Sequence, residues 1–139
     1  MEISKKGEYT LKALMYLAIK YEDSREVVKT KEIARKTDIP RSFLEQILLQ
    51  LNNARFLESL KGPEGGYRLR RPPEQIIIGN VIRLVDGALS PYNDVEGLRE
   101  KIKESEDFSS IYEMMLEVRD CIAEILDKKT LADLIINYN

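Results

Sequence analysis

Histidine is absent from the 139-residue chain. With it go the commonest general base at neutral pH and the commonest zinc ligand. A single cysteine, Cys121, excludes an intrachain disulfide, a CxxC redox pair and an all-cysteine metal site within one chain. Such sparse use fits a reducing cytoplasm. Long apolar runs are also missing. The stretch from Ala13 to Ile19 is too short to span a bilayer. Lys20, Glu22 and Asp23 close it with no small-residue cleavage site, so neither a membrane partner nor a signal peptide is expected. There is no internal repeat, low-complexity tract, phosphate-binding loop motif or recognisable pair of catalytic acids. The glycine turn at 62–66 joins two strands, unlike a nucleotide loop, which leads from a strand into a helix. An enzyme is therefore not expected.

What is present fits one small domain, or one plus an appendage. Apolar residues make up 43% and charged residues 33%, enough for a core under a charged coat. The net charge of −2 hides an asymmetry. Residues 1–72 hold 15 Lys/Arg against 10 Asp/Glu, net +5, and residues 73–139 hold 7 against 14, net −7. Chance segregation on a solvated surface gives the same counts, but a basic first half also suits an anionic partner.

Apolar residues at Leu11, Leu14, Met15 and Ala18 predict a helix over 8–21. Thr30 is the expected N-cap of a short helix to about Lys36. The turn 37–40 leads into a helix over 40–53, with Pro40 suited to its first position. Leu44, Ile47, Leu48 and Leu51 form that helix's buried stripe. Two short alternating runs, 56–60 and 67–70, flank three glycines and a proline, which reads as a hairpin. A helix from about Ile78 ends at Gly87. Residues 88–97 read as a linker, and 98–107 as a solvated helix or a loop. The long helix 108–127 carries three parallel apolar seams. Ile111, Val118 and Ile125 lie seven apart, Met114 and Cys121 form the second seam, and Met115 and Ile122 the third. Together they are broad enough to pack on another helix. Thr130 is the expected N-cap of a final short helix over 131–135.

Helix, tight turn, helix, then a glycine-tipped hairpin is the order of a winged helix-turn-helix. The expected fold class is mainly α (α+β), with a two-stranded wing and a long C-terminal helix. Counting Thr30 as position one, Ala34 falls fifth, where a small side chain lets the helices cross. Asp38 falls ninth, where a left-handed backbone usually takes glycine, and it is one of the few other residues that tolerate that conformation. Ile39, Leu44 and Ile47 fall tenth, fifteenth and eighteenth, as apolar locks. The opposite face of the second helix shows Arg41, Ser42, Glu45, Gln46 and Leu49. Arginine suits guanine, glutamine suits adenine, and glutamate accepts from the cytosine amino group. An ordinary polar helix face has the same composition. Glu45 would repel phosphates, so it fits only by reading a base or by organising a neighbour. On the hairpin, Arg68 and Arg70 share one strand face, with Lys61 at the turn. This cationic tip is able to enter a minor groove or follow phosphates.

The stretch from Ser42 to Leu48, then Leu51, Phe56-Leu57 and the run from Lys61 to Leu69, resembles the Rrf-two family of bacterial transcriptional regulators. Further matches are Lys6 to Tyr9, Val81 to Gly87 and Thr130 to Leu134, so the likeness spans nearly the whole chain. It implies a homodimer whose long C-terminal helix crosses its mate, with Ile111, Met114, Met115, Val118, Cys121, Ile122 and Ile125 at the contact. It implies DNA contacts at Ser42, Glu45 and Gln46, a wing contact at Lys61 where arginine is common, and backbone contacts near Lys6 and Tyr9. Glu64 stands where the wing tip more usually has glycine. Cluster-binding members carry three cysteines between the helix ending near Gly87 and the long helix, and residues 88–110 here hold none. No iron–sulfur cofactor is therefore expected. Cys121 stands where alanine is often found, as a packing cysteine or as a thiol responsive to oxidation or to a partner.

The expected division is a winged helix-turn-helix DNA-binding domain over 1–87, then a linker or sensor loop and dimerisation helices over 88–139. The expected function is sequence-specific repression by a cytoplasmic homodimer on an inverted repeat in double-stranded DNA. Its signal would come from a small molecule, from Cys121 or from a protein effector. The alternative is a winged-helix module that binds protein, or a cluster-less regulator controlled through a partner protein.

Overall fold

The computed structural model of the chain describes residues 2–89 and 95–136. Its elements are α1 (Lys5–Asp23), α2 (Thr30–Thr37), α3 (Arg41–Asn53), β1 (Leu57–Leu60), β2 (Gly66–Leu69), a 3-10 turn (Pro73–Gln75), α4 (Ile78–Asp86), α5 (Val95–Glu104), α6 (Ser109–Lys128) and α7 (Leu131–Ile135). The expected mainly helical fold with a two-stranded wing is the one observed.

Helix ends differ from the expectation where caps decide them. Helix α1 begins three residues early because the Ser4 hydroxyl accepts from Gly7 N at 2.9 Å, filling an orphan donor of the first turn. The same serine is tied to Asp86 at the end of α4, so both helix ends are fixed together. Thr30 is not the cap of α2. The cap is Lys29, whose carbonyl accepts the first helical bond from Ile33 N at 3.1 Å. Pro40 likewise precedes α3 as its cap, with ψ at 132°. Proline fits there because the cap needs an extended backbone and no helical bond from its nitrogen, where proline has no N–H to give. Asp38 does adopt the left-handed conformation, at φ 58° and ψ 30°. Thr130 caps α7 through a reciprocal pair with Asp133, which holds the Asp133 carboxyl below its ordinary value.

The core joins α1 to the helix pair and the wing. Ala13, Leu14, Leu17 and Ala18 pack with Ile33, Leu44, Ile47, Leu48, Leu51, Leu57 and Leu69, all fully or almost fully buried. Strands β1 and β2 pair antiparallel, Glu58 opposite Arg68 and Leu57 opposite Leu69. Val28 adds a bridge on the far side of β2, donating to the Tyr67 carbonyl at 2.7 Å and accepting from its N–H at 2.9 Å. Gly66 permits that approach, because a β-carbon there would stand 2.3 Å from the Val28 carbonyl oxygen.

Residues 1–87 do not close this core alone. Leu131 of α7 is fully buried in it, and its N–H donates to the Ile76 carbonyl at 2.8 Å. Helix α6 reaches α4 through Arg83 and Asp127, a two-pronged pair at 2.7 and 2.8 Å. Gly79 makes room for it, since a β-carbon there would stand 2.1 Å from Asp127 Oδ1. Residues 98–107, read as a helix or a loop, contain the end of α5, with Leu98 buried against α6. Of the expected linker 88–97, residues 90–94 lie outside the described residues, and Val95 already belongs to α5.

Candidate nucleic-acid interface

Helix α3 is held by its buried stripe, so its other face is fixed toward solvent. Arg41, Ser42, Glu45, Gln46 and Leu49 are all exposed there. Arg41 Nε lies 3.4 Å from Glu45 Oε1, one turn along the helix. Glu45 thus organises a neighbouring cation, and the pair is half-exposed enough to exchange partners readily. The side chains of Ser42 and Gln46 have no hydrogen-bond partner among the described residues, which leaves their donors and acceptors available to base edges.

The N-terminal end of α1 sits beside α3. The Tyr9 ring meets Phe43 edge to face, with centroids 5.4 Å apart. Lys6 lines a shallow cleft with Gln46, Leu49, Gln50, Asn53, Ala54 and Leu84. Two residues outside the expected set join them. Lys5 and Lys12 hold their ammonium groups 5.2 and 5.9 Å from the Tyr9 ring centre, a cation–π arrangement. Their spacing from Tyr9, four residues before and three after, is the helical signal that could have found them.

The wing is less cationic than its composition. Arg68 Nε binds Glu58 at 2.6 Å directly across the hairpin, and its Nη1 donates to the Arg25 carbonyl at 3.1 Å. Arg70 Nε reaches the Leu57 carbonyl at 3.4 Å. Lys29 lies 3.8 Å from Glu64, so the tip carboxylate has a cation of its own. Lys61 is exposed at the turn and has no ion-pair partner among the described residues.

The long helix splits its three seams. Ile111, Met114 and Ile125 are exposed large apolar side chains, Cys121 is exposed, and Val118 is half-buried between them. Met115 is half-buried, and Ile122 packs on the chain's own core. The outward stripe is therefore 111, 114, 118, 121, 125, spaced alternately by three and four residues, which is the spacing of a coiled-coil seam. In the single chain Cys121 is not a buried packing residue.

With this geometry the sequence matches the Rrf2 family model, described as an iron-dependent transcriptional regulator, over residues 3–137. The chain belongs to the Rrf2 family. It is 34% identical to the HTH-type transcriptional regulator CymR of Bacillus subtilis over 134 residues, covering 96% of this chain and 89% of that one. The solved structure of CymR, the global cysteine regulator of B. subtilis, superposes with a TM-score of 0.81 at 30% identity, covering 100% of this chain and 99% of that chain. That of T. potens IscR gives 0.78 at 29% identity, covering 100% and 89%. As an Rrf2 protein the chain is a DNA-binding transcriptional regulator and not an enzyme. No helix among the described residues is long and apolar enough to cross a membrane.

Proposed function

We propose that this Rrf2 protein is a cytoplasmic, homodimeric repressor that binds an inverted-repeat operator without an iron–sulfur cluster. The uncommitted polar face of α3, flanked by the Lys5–Lys12 end of α1, carries the reading. Ser42, Gln46 and the Arg41–Glu45 pair meet base edges in the major groove. Lys6, Tyr9, Lys61 and Arg70 meet phosphates and fix the register. Arg68 contributes a charge already shared with Glu58, and mainly braces the wing. Residues 1–87 form the DNA-binding unit, α5 and α6 carry the dimer contact, and α7 ties the two parts together. Two-fold symmetry of the protein then matches that of the operator. Input comes from a small molecule near residues 88–110, from Cys121 or from a protein effector.

The family description implies iron, and the donor set here does not fit a cluster. Thiolates hold such clusters, and this chain has one, Cys121, on the outer stripe of α6. Among the described residues no three His, Cys, Asp or Glu side chains come together as a metal site. Protein purified anaerobically with iron and sulfide supplied is expected to be colourless. A stoichiometric cluster absorbance would overturn that part of the proposal, whether it survived Cys121→Ala or bridged two chains through Cys121.

Selection of bound sequences from a random duplex pool tests the main reading. A palindromic site is expected, with affinity falling steeply as salt rises because bound cations release condensed counterions. Gln46→Ala should cost about 1–3 kcal/mol on the selected site and relax preference at one base pair. Equal binding to selected and scrambled duplexes at every salt concentration would sink the reading.

A further inference from the structure

The outward face of α3 contains one side chain that the polar contacts do not use. Leu49 is 55% exposed, while Leu44, Leu48 and Leu51 of the same helix are fully buried. An exposed leucine alone carries no message; its place does. Positions 42, 45, 46 and 49 follow the i, i+3, i+4, i+7 spacing, so Leu49 continues the face of Ser42, Glu45 and Gln46. It lines the shallow cleft, about 560 Å³, between α3, α1 and α4. Its other lining residues are Lys6, Gln46, Gln50, Asn53, Ala54 and Leu84, and Gln50 is spent on the Leu84 carbonyl at 3.3 Å.

We infer that Leu49 is a specificity-determining contact that selects a thymine by packing on its C5-methyl group. The inference rests on the DNA-binding reading of α3. A leucine side chain makes no hydrogen bond, and the one apolar feature on the floor of the major groove is the thymine methyl. Facing any other base, Leu49 would cover donors or acceptors and leave them without water or a partner, which disfavours those bases. Thymine turns the same desolvation into a gain.

The test uses the full-length protein and the duplex site selected from a random pool, with each thymine replaced in turn by deoxyuridine. That exchange removes only the methyl. At one thymine of the half-site, wild-type affinity should fall about fourfold, the value of one buried methyl-sized group. Leu49→Ala, an exposed change to a strong helix former, should bind the thymine and uracil duplexes equally. Lys61→Ala should weaken both while keeping the ratio between them. A wild type indifferent to uracil at every thymine, or a Leu49→Ala protein that keeps the fourfold ratio, overturns the assignment and leaves specific binding standing. If the pool yields no preferred sequence, the DNA-binding reading fails and the leucine assignment falls with it.

Discussion

Asp38 holds a backbone conformation that an L-residue pays for, φ 58° at the turn between α2 and α3, and its N–H closes α2 by donating to the Ala34 carbonyl at 2.9 Å. The left-handed region costs an ordinary side chain about 1–2 kcal/mol, less for aspartate, and glycine nothing. Glycine loses about 0.5–1 kcal/mol more backbone entropy on folding than alanine. Asp38→Gly should therefore leave stability within about 1 kcal/mol of the wild type, on the stabilising side if strain outweighs entropy. Asp38→Val, β-branched at positive φ, should be clearly destabilised. Urea unfolding followed by circular dichroism at one protein concentration checks both. A valine variant as stable as wild type would mean that the turn is not constrained as described. This residue was legible in the sequence, because its place in the helix-turn-helix count demands a left-handed residue. The Arg68–Glu58 bond was legible in principle, since a hairpin closed over 61–65 puts those two opposite each other. Reading strand faces without the register missed it. Thr30 and Pro40 each fell one position off because cap identity is set by dihedral angles, and neighbouring polar residues carry the same chemical signal.

At the scale of elements, an ion pair joins α4 to α6 beside the apolar packing of Ile122 and Leu126 on the core. Arg83 holds the Asp127 carboxyl below its ordinary value, first by their hydrogen bonds and then by charge. A carboxyl depressed on folding adds stability that is fully present above its unfolded value, near 3.8, and is lost as pH falls through the lower folded value. Because the pair is about 40% exposed, its worth is modest, up to about 1 kcal/mol. Asp127→Asn should thus be less stable than wild type from pH 8 to 5, and the gap should narrow below about pH 4. Unfolding curves at each pH measure the gap; one that stayed constant into acid would show that the pair does not brace α6. The sequence did not foretell this contact. Two charges 44 residues apart leave no periodic trace, and the approach hangs on the missing side chain of Gly79. Helix α5 was equally hard to read, since Leu98 and Ile102 are a thin apolar stripe among six charged residues of ten.

At the scale of the whole molecule, the question is what covers the outer stripe of α6. The sequence offered three adjacent seams and no means of ranking them; packing on the core picks out Ile122, exposure picks out Ile111, Met114, Cys121 and Ile125, and Met115 and Val118 are both half-buried. Met114 and Ile125 are 56% and 60% exposed in the single chain, along a helix about 30 Å long. In the proposed homodimer a second copy crosses on the same stripe and buries it symmetrically. Val118 sits at the middle of the stripe, so in the proposed dimer Val118→Glu would place two mutually repelling carboxylates near the two-fold axis. The expected cost is several kcal/mol per site. The variant should sediment as a monomer or unfold. A folded monomer engages one half-site at a time and forfeits the roughly 10²–10⁴-fold gain of tethered binding. Glu113→Lys, an exposed charge reversal off the stripe, should leave the dimer intact and separates loss of the contact from a general effect of charge on α6. If Val118→Glu sedimented as an intact dimer with unchanged operator affinity, α6 would not be the subunit contact. The two recognition helices would then have to be held in register by some other surface of the chain.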